Sequence, residues 1–168
     1  LGLRSTIFGL DRIPKLDGIS AVINCAGPFT RTAPLWMEEC LERRMHYLDI
    51  TGEIAVFERA IALGGRAKTA GVVLMPGVGF DVVPTDCLAL SLKEALPDAT
   101  SLELAFWAHS GASIGTVTTM IENLPFGGKE RLNGKLVSVP MFHKTRTVNL
   151  APPVRRAATR TTSNPWPM

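Results

Sequence analysis

Val22-Ile-Asn-Cys-Ala-Gly-Pro-Phe29 is the stretch on which the fold turns. It closes a short apolar run, Ser20 to Cys25, rich enough in β-branched residues to read as a buried strand. Gly27-Pro28 breaks the run. One polar side chain, Asn24, stands at its end among small residues. Small residues after a strand let a ligand approach the backbone, and a polar side chain there can hold it.

Outward from this point the pattern alternates. Pro34 suits the first turn of a helix, LWMEECLERR, whose Leu35, Trp36, Cys40 and Leu41 are read as one apolar face. HYLDI is the next strand. Thr51 is placed to cap a second helix, with Glu53 in its first turn, running from Ile54 loosely through Gly64-Gly65 to Ala70. VVLM is a third strand and ends in the loop PGVGFDVVP, after which Pro84 opens the helix TDCLALSLKEAL. Continuous apolar strands alternating with helices predict a parallel sheet with helices on both faces. In such sheets ligands bind beyond the carboxyl ends of the strands. The three strands end in NCAGPF, DITGE and PGVGFD.

The pattern changes after Leu96-Pro97, where an α+β segment is expected to start. SLELAFWAH reads as a strand, Thr116 to about Asn123 as a helix, and PFGGKERLNGKLVSVP as a turn followed by a strand at Lys135–Val139. Prolines at 152, 153, 165 and 167 exclude regular structure locally. This divides the chain into 1–97 and 98–168.

With 46% hydrophobic and 20% charged residues, the composition is that of a globular chain that can bury a core. No apolar run approaches the roughly 18 residues of a membrane span, and no secretory signal is recognised, so a cytoplasmic location is expected. Cys25, Cys40 and Cys87 are odd in number and far apart, which fits buried thiols in a reducing compartment rather than disulfides or zinc. His46, His109 and His143 are equally scattered, and no metal site is expected. Charge is uneven: residues 1–130 hold 11 basic and 15 acidic residues, whereas 131–168 hold seven basic and none acidic. Such a tail reads first as a solvated or truncated segment whose acidic partner is missing, and otherwise as a contact for an anionic membrane surface or partner. It lacks the interleaved aromatics of a nucleic-acid binder, and no nucleic acid is expected.

Taken together, VINCAGPF, CLERRMHYLDITGE and MPGVGFDVVPTD resemble the saccharopine dehydrogenase-like oxidoreductases, most closely the branch with trans-acting enoyl reductases. The likeness covers about residues 18–140, including SGASIGTVTTMIE and GKLVSVP. It implies a partial Rossmann-like α/β domain (1–97) binding NADP or NAD, then an incomplete substrate or dimerisation domain (98–168) with a basic tail. The implied reaction is hydride transfer to or from a C=N, C=O or C=C bond of a small or lipid-like substrate. A homo-oligomer and a peripheral membrane contact are further expectations. No G-x-G-x-x-G follows a strand in these 168 residues. The chain is therefore read as a fragment expected to bind dinucleotide poorly by itself. The alternative is a non-enzymatic truncated paralogue acting through a partner or an anionic membrane. Where this family usually closes the helix before HYLD with a glycine, Arg44-Met45 stand instead.

The resemblance assigns Asn24, Cys25, Ala26, Gly27 and Pro28 to the ribose and nicotinamide side of the cofactor, and Thr51 and Gly52 to cofactor binding as well. Asp81, between a glycine turn and Val82, is the expected substrate contact or proton-transfer group. Asp49 and Glu53 could form an acid–base pair, with Tyr47 beside them; alternatively Thr51 caps a helix and Glu53 favours its dipole. Cys25 lacks a basic neighbour in sequence and reads as filler rather than nucleophile.

Overall fold

The computed structural model describes residues 7–9, 13–15, 17–80, 82–104, 111, 113–141, 144, 146–148 and 155–157. The chain divides into two compact units, Leu1–Val78 and Gly79–Met168.

The first unit holds a three-stranded parallel sheet in the order β1 (Ala21–Asn24), β2 (His46–Asp49), β3 (Leu74–Met75). Asn24 lies opposite Asp49, Val22 opposite Tyr47, and Tyr47 opposite Leu74. Because side chains alternate across a strand, Val22, Asn24, Tyr47, Asp49 and Leu74 share one face. Helices α1 (Phe29–Arg43), α2 (Ile54–Ala62) and α3 (Gly64–Ala70) belong to the same unit, and the core forms from Met37, Cys40, Met45, Tyr47, Val56, Leu63 and Val72 with their neighbours. The other face bears Ile23, 63% exposed, and Met75, 49% exposed. Outside the core, the Glu38 carboxylate of α1 pairs with Arg59 of α2 at 2.6 Å and with Arg66 of α3 at 2.8 Å.

Helix α1 departs from its reading. It starts at Phe29, five residues before Pro34, which sits inside it. Its buried stripe is Ala33, Trp36, Met37, Cys40 and Leu41, at the i, i+3, i+4 spacing of one helix face, and Leu35 faces outward. Its last turn ends with Arg44 in the left-handed region (φ 57°), where the Met45 amide donates to the Cys40 carbonyl at 2.9 Å. The backbone thus keeps the geometry that usually calls for glycine. The expected continuous second helix is two, α2 and α3, parted at Leu63. Gly64-Gly65 start the second one, and glycines weaken a helix interior. Gly71 ends α3 at φ 70°.

The second unit holds α4 (Val83–Ala95), with proline in its first turn, and α5 (Ile114–Asn123). Ser113 caps α5, its hydroxyl accepting from the Thr116 amide at 3.1 Å. A short 3-10 turn, Leu124–Phe126, leads into the antiparallel hairpin β4 (Gly128–Leu132) and β5 (Lys135–Val139). Its turn is Asn133-Gly134, with φ of 49° and 77°, the positive pair that a two-residue hairpin turn of type I′ needs. A second ribbon pairs β6 (Arg146–Val148) with β7 (Arg155–Ala157). Strand β4 was not anticipated. Residues 101–104 of the expected SLELAFWAH strand are irregular. The rest of it, from residue 105, with His109, and also His143, lie outside the described residues.

Candidate functional site at the carboxyl edge of the sheet

Asn24 and Asp49 are the last residues of β1 and β2, side by side and both buried. A buried polar group is costly unless hydrogen-bonded, and each here is fully engaged. The Asn24 amide nitrogen donates to Thr32 Oγ1 at 2.9 Å and to the Tyr47 hydroxyl at 3.2 Å. Its oxygen accepts from the Ala26 amide at 3.0 Å, which folds the chain back directly after the strand. The Thr32 hydroxyl donates in turn to the Ala26 carbonyl at 2.7 Å. Thr32 stands in the first turns of α1, so Asn24 fixes both the turn after β1 and the helix that follows.

The Tyr47 hydroxyl donates to Asp49 Oδ2 at 2.7 Å. Burial pushes this hydroxyl well above the ordinary tyrosine range; the Asn24 bond opposes the shift, and the bond and charge of Asp49 add to it. Tyr47 is a structural donor in this setting. Asp49 Oδ1 accepts from the Thr51 amide at 3.0 Å and from the Gly77 amide at 2.9 Å. The Asp49 carbonyl accepts from the Val78 amide at 2.8 Å. One carboxylate therefore ties the loop after β2 to the start of the loop after β3.

Thr51, fully buried, accepts from the Glu53 amide through its hydroxyl at 2.9 Å. The residue capping α2 is Glu53 itself, without a side-chain cap bond to that helix. The Glu53 carboxylate reaches instead to α1, accepting from the Phe29 amide on Oε1 and the Thr30 amide on Oε2, both at 2.8 Å. It serves the positive end of a helix other than its own. Asp49 and Glu53 thus accept from different groups. Each carboxylate is spent on separate protein donors.

The residues expected at a cofactor fall into two sets. Asn24 and Thr51 are inside, held by protein groups. Cys25, Ala26, Gly27 and Gly52 are exposed at the same carboxyl edge, and Pro28 is half-buried after a cis Gly27–Pro28 peptide. Asp81 lies outside the described residues. Sequence reasoning missed Thr32 and the reach of Glu53, because α1 was read as beginning beyond both contacts. The thiols also differ from expectation: Cys40 is buried, but Cys25 and Cys87 are exposed. Burial, with the Glu39 charge added, pushes the Cys40 thiol up to about 11. Among the described residues no group of three or more His, Cys, Asp or Glu side chains gathers as metal ligands would. No helix among them is long and apolar enough to cross a membrane.

No family model matches the chain, and no solved structure matches it. Over 66 residues it is 33% identical to an Arabidopsis thaliana protein named "probable mitochondrial saccharopine dehydrogenase-like oxidoreductase". The matched stretch is 39% of this chain and only 14% of that protein. The likeness thus supports the saccharopine dehydrogenase-like family, at family level and over part of the chain.

Proposed function

We propose that this chain carries the carboxyl-edge half of a nicotinamide-dinucleotide site of an oxidoreductase. The observation that carries the reading is the convergence of three strand ends on Asp49, which bonds the loops at Thr51 and Gly77 while Tyr47 joins it to Asn24. A parallel sheet whose strand-end loops are fastened together at one edge offers the place where such folds take dinucleotides. The partial likeness to a protein named as an oxidoreductase supports the same reading.

The residues present fit a flat ring laid along the backbone. Cys25, Ala26 and Gly27 are small and exposed, and Gly52 opposes no side chain to a ligand. Residues Asn24 to Pro28, with Thr51 and Gly52, would hold the ribose and nicotinamide side of NADP or NAD, the two buried members shaping the backbone that the exposed ones present. When bound, the nicotinamide supplies or accepts the hydride; the protein's part is position and electrostatics. Asp81 is the proposed substrate contact or proton carrier. The substrate class is a small or lipid-like molecule with a C=N, C=O or C=C bond.

The test is amide chemical-shift mapping of the 15N-labelled chain with NADPH and, separately, nicotinamide mononucleotide at millimolar concentration. The expected result is weak, saturable shifts at Cys25–Gly27 and Thr51–Gly52 with both ligands. Shifts confined to other surfaces, or none at all, overturn the reading.

A further inference from the structure

The first turn of α1 is held from two directions. On one side Thr32 bonds Asn24 and the Ala26 carbonyl. On the other, Glu53 receives the Phe29 and Thr30 amides from 24 and 23 residues away. The helix has no cap of its own: Pro28 occupies the capping position without a side-chain bond, and the first turn has no acidic residue. A helix start leaves its first amides unpartnered unless something accepts them, and Glu53 is what accepts two of them here.

Glu53 is itself anchored. Its amide bonds Thr51, whose amide bonds Asp49, whose second oxygen bonds Tyr47, which bonds Asn24, which bonds Thr32 of the same helix. The bonds form a closed ring that starts and ends on α1. The turn Cys25–Pro28, exposed up to Gly27, is the segment spanned by that ring.

We propose that Glu53 is a positioning residue that sets the shape of the Cys25–Pro28 turn by clamping the start of α1, and that its charge excludes anionic ligand groups from that helix end. The first part needs only the ring. The second rests on the dinucleotide reading, since it predicts that the nicotinamide ring, which carries no negative charge, and not the phosphates, meets this turn.

The experiment compares the wild-type chain with Glu53→Ala and Glu53→Gln by amide shift mapping and urea unfolding, with and without sodium acetate. In Glu53→Ala, the Phe29 and Thr30 amides and the Cys25–Gly27 amides shift together. The folded-to-unfolded ratio falls about fivefold, as for loss of a helix cap, and about tenfold more NADPH is needed for the same response. Acetate binds the vacated amides, returns the Phe29 and Thr30 signals toward their wild-type positions and restores the Cys25–Gly27 signals. It does neither in wild type, where Glu53 fills the place. Glu53→Gln keeps one acceptor oxygen and gives an intermediate result; it also decides the matter if Glu53→Ala does not fold. Unchanged Cys25–Gly27 amides in either variant, or acetate shifts equal in wild type and Glu53→Ala, overturn the proposal. The shift, unfolding and acetate comparisons need no cofactor, so a wild-type chain unmoved by NADPH defeats the dinucleotide reading while leaving Glu53's clamp to be judged by those three.

Discussion

Replacing Tyr47 with phenylalanine removes one oxygen from the centre of the buried polar ring. The ring of the side chain stays, so no cavity forms and the loss reports hydrogen bonding alone. Two bonds go: the 2.7 Å bond donated to Asp49 and the 3.2 Å bond accepted from Asn24. A bond to a charged group contributes about 1.5–3 kcal/mol and a neutral one about 1 kcal/mol. The expected cost is therefore about 3 kcal/mol, a large share of the roughly 5–15 kcal/mol of a typical domain. In urea unfolding this appears as a lower midpoint with an unchanged slope; at a slope of about 1.5 kcal/mol/M the midpoint falls by about 2 M. The pH dependence is a second arm. A hydroxyl that resists ionisation in the folded chain gives stability that is complete below the ordinary tyrosine value near 10 and is lost as pH rises past it. Tyr47→Phe abolishes that part of the alkaline loss. The chain has one tyrosine, so ultraviolet difference absorbance follows its ionisation directly. A cost below about 0.5 kcal/mol, the ordinary range of a surface change, would refute the reasoning, as would ionisation of Tyr47 near pH 10 in the folded chain.

Three further outcomes follow from Arg44 and the cysteines. Arg44→Gly should stabilise the chain by about 0.5–1 kcal/mol, the left-handed strain relieved less the extra freedom glycine has when unfolded; a lower urea midpoint for this variant contradicts the reading of the helix end. Thiol labelling read by mass spectrometry should modify Cys25 and Cys87 in the native chain and Cys40 only on unfolding. With the Cys40 thiol raised from 9.0 to about 11, its contribution is complete below pH 9 and disappears as pH climbs from there toward 11. Equal labelling of all three thiols defeats this.

The alternation of elements was legible because apolar strands and amphipathic helices leave different periods in sequence. Strands β1 and β2, helix α4 and strand β5 stand close to where the periods put them. The start of α1 was hidden, since residues Phe29 to Ala33 look like a loop until Asn24 and Glu53 reach them from elsewhere. Strand β4 was legible and overlooked: Asn133-Gly134 between two extended runs is the strongest short hairpin signal there is. The site residues were found in the right loops, yet their division into buried shapers and exposed presenters rests on which way each strand faces. Val22, Asn24, Tyr47 and Asp49 carry that information only as a two-residue period, too short to separate the two sides unaided. The partner of Glu53 lies 24 residues back, beyond any local pattern.

The cyclic arrangement around α1 has a bearing on how such a sequence can drift. Asn24 donates to both of its neighbours in the ring and Asp49 accepts from both of its own, so a lone replacement of either strands two groups at once. Energies of paired replacements will therefore fall short of the sum of the singles. Viable histories are expected to pass through concerted exchanges, with Asn24, Thr32, Tyr47, Asp49, Thr51 and Glu53 changing together rather than one at a time.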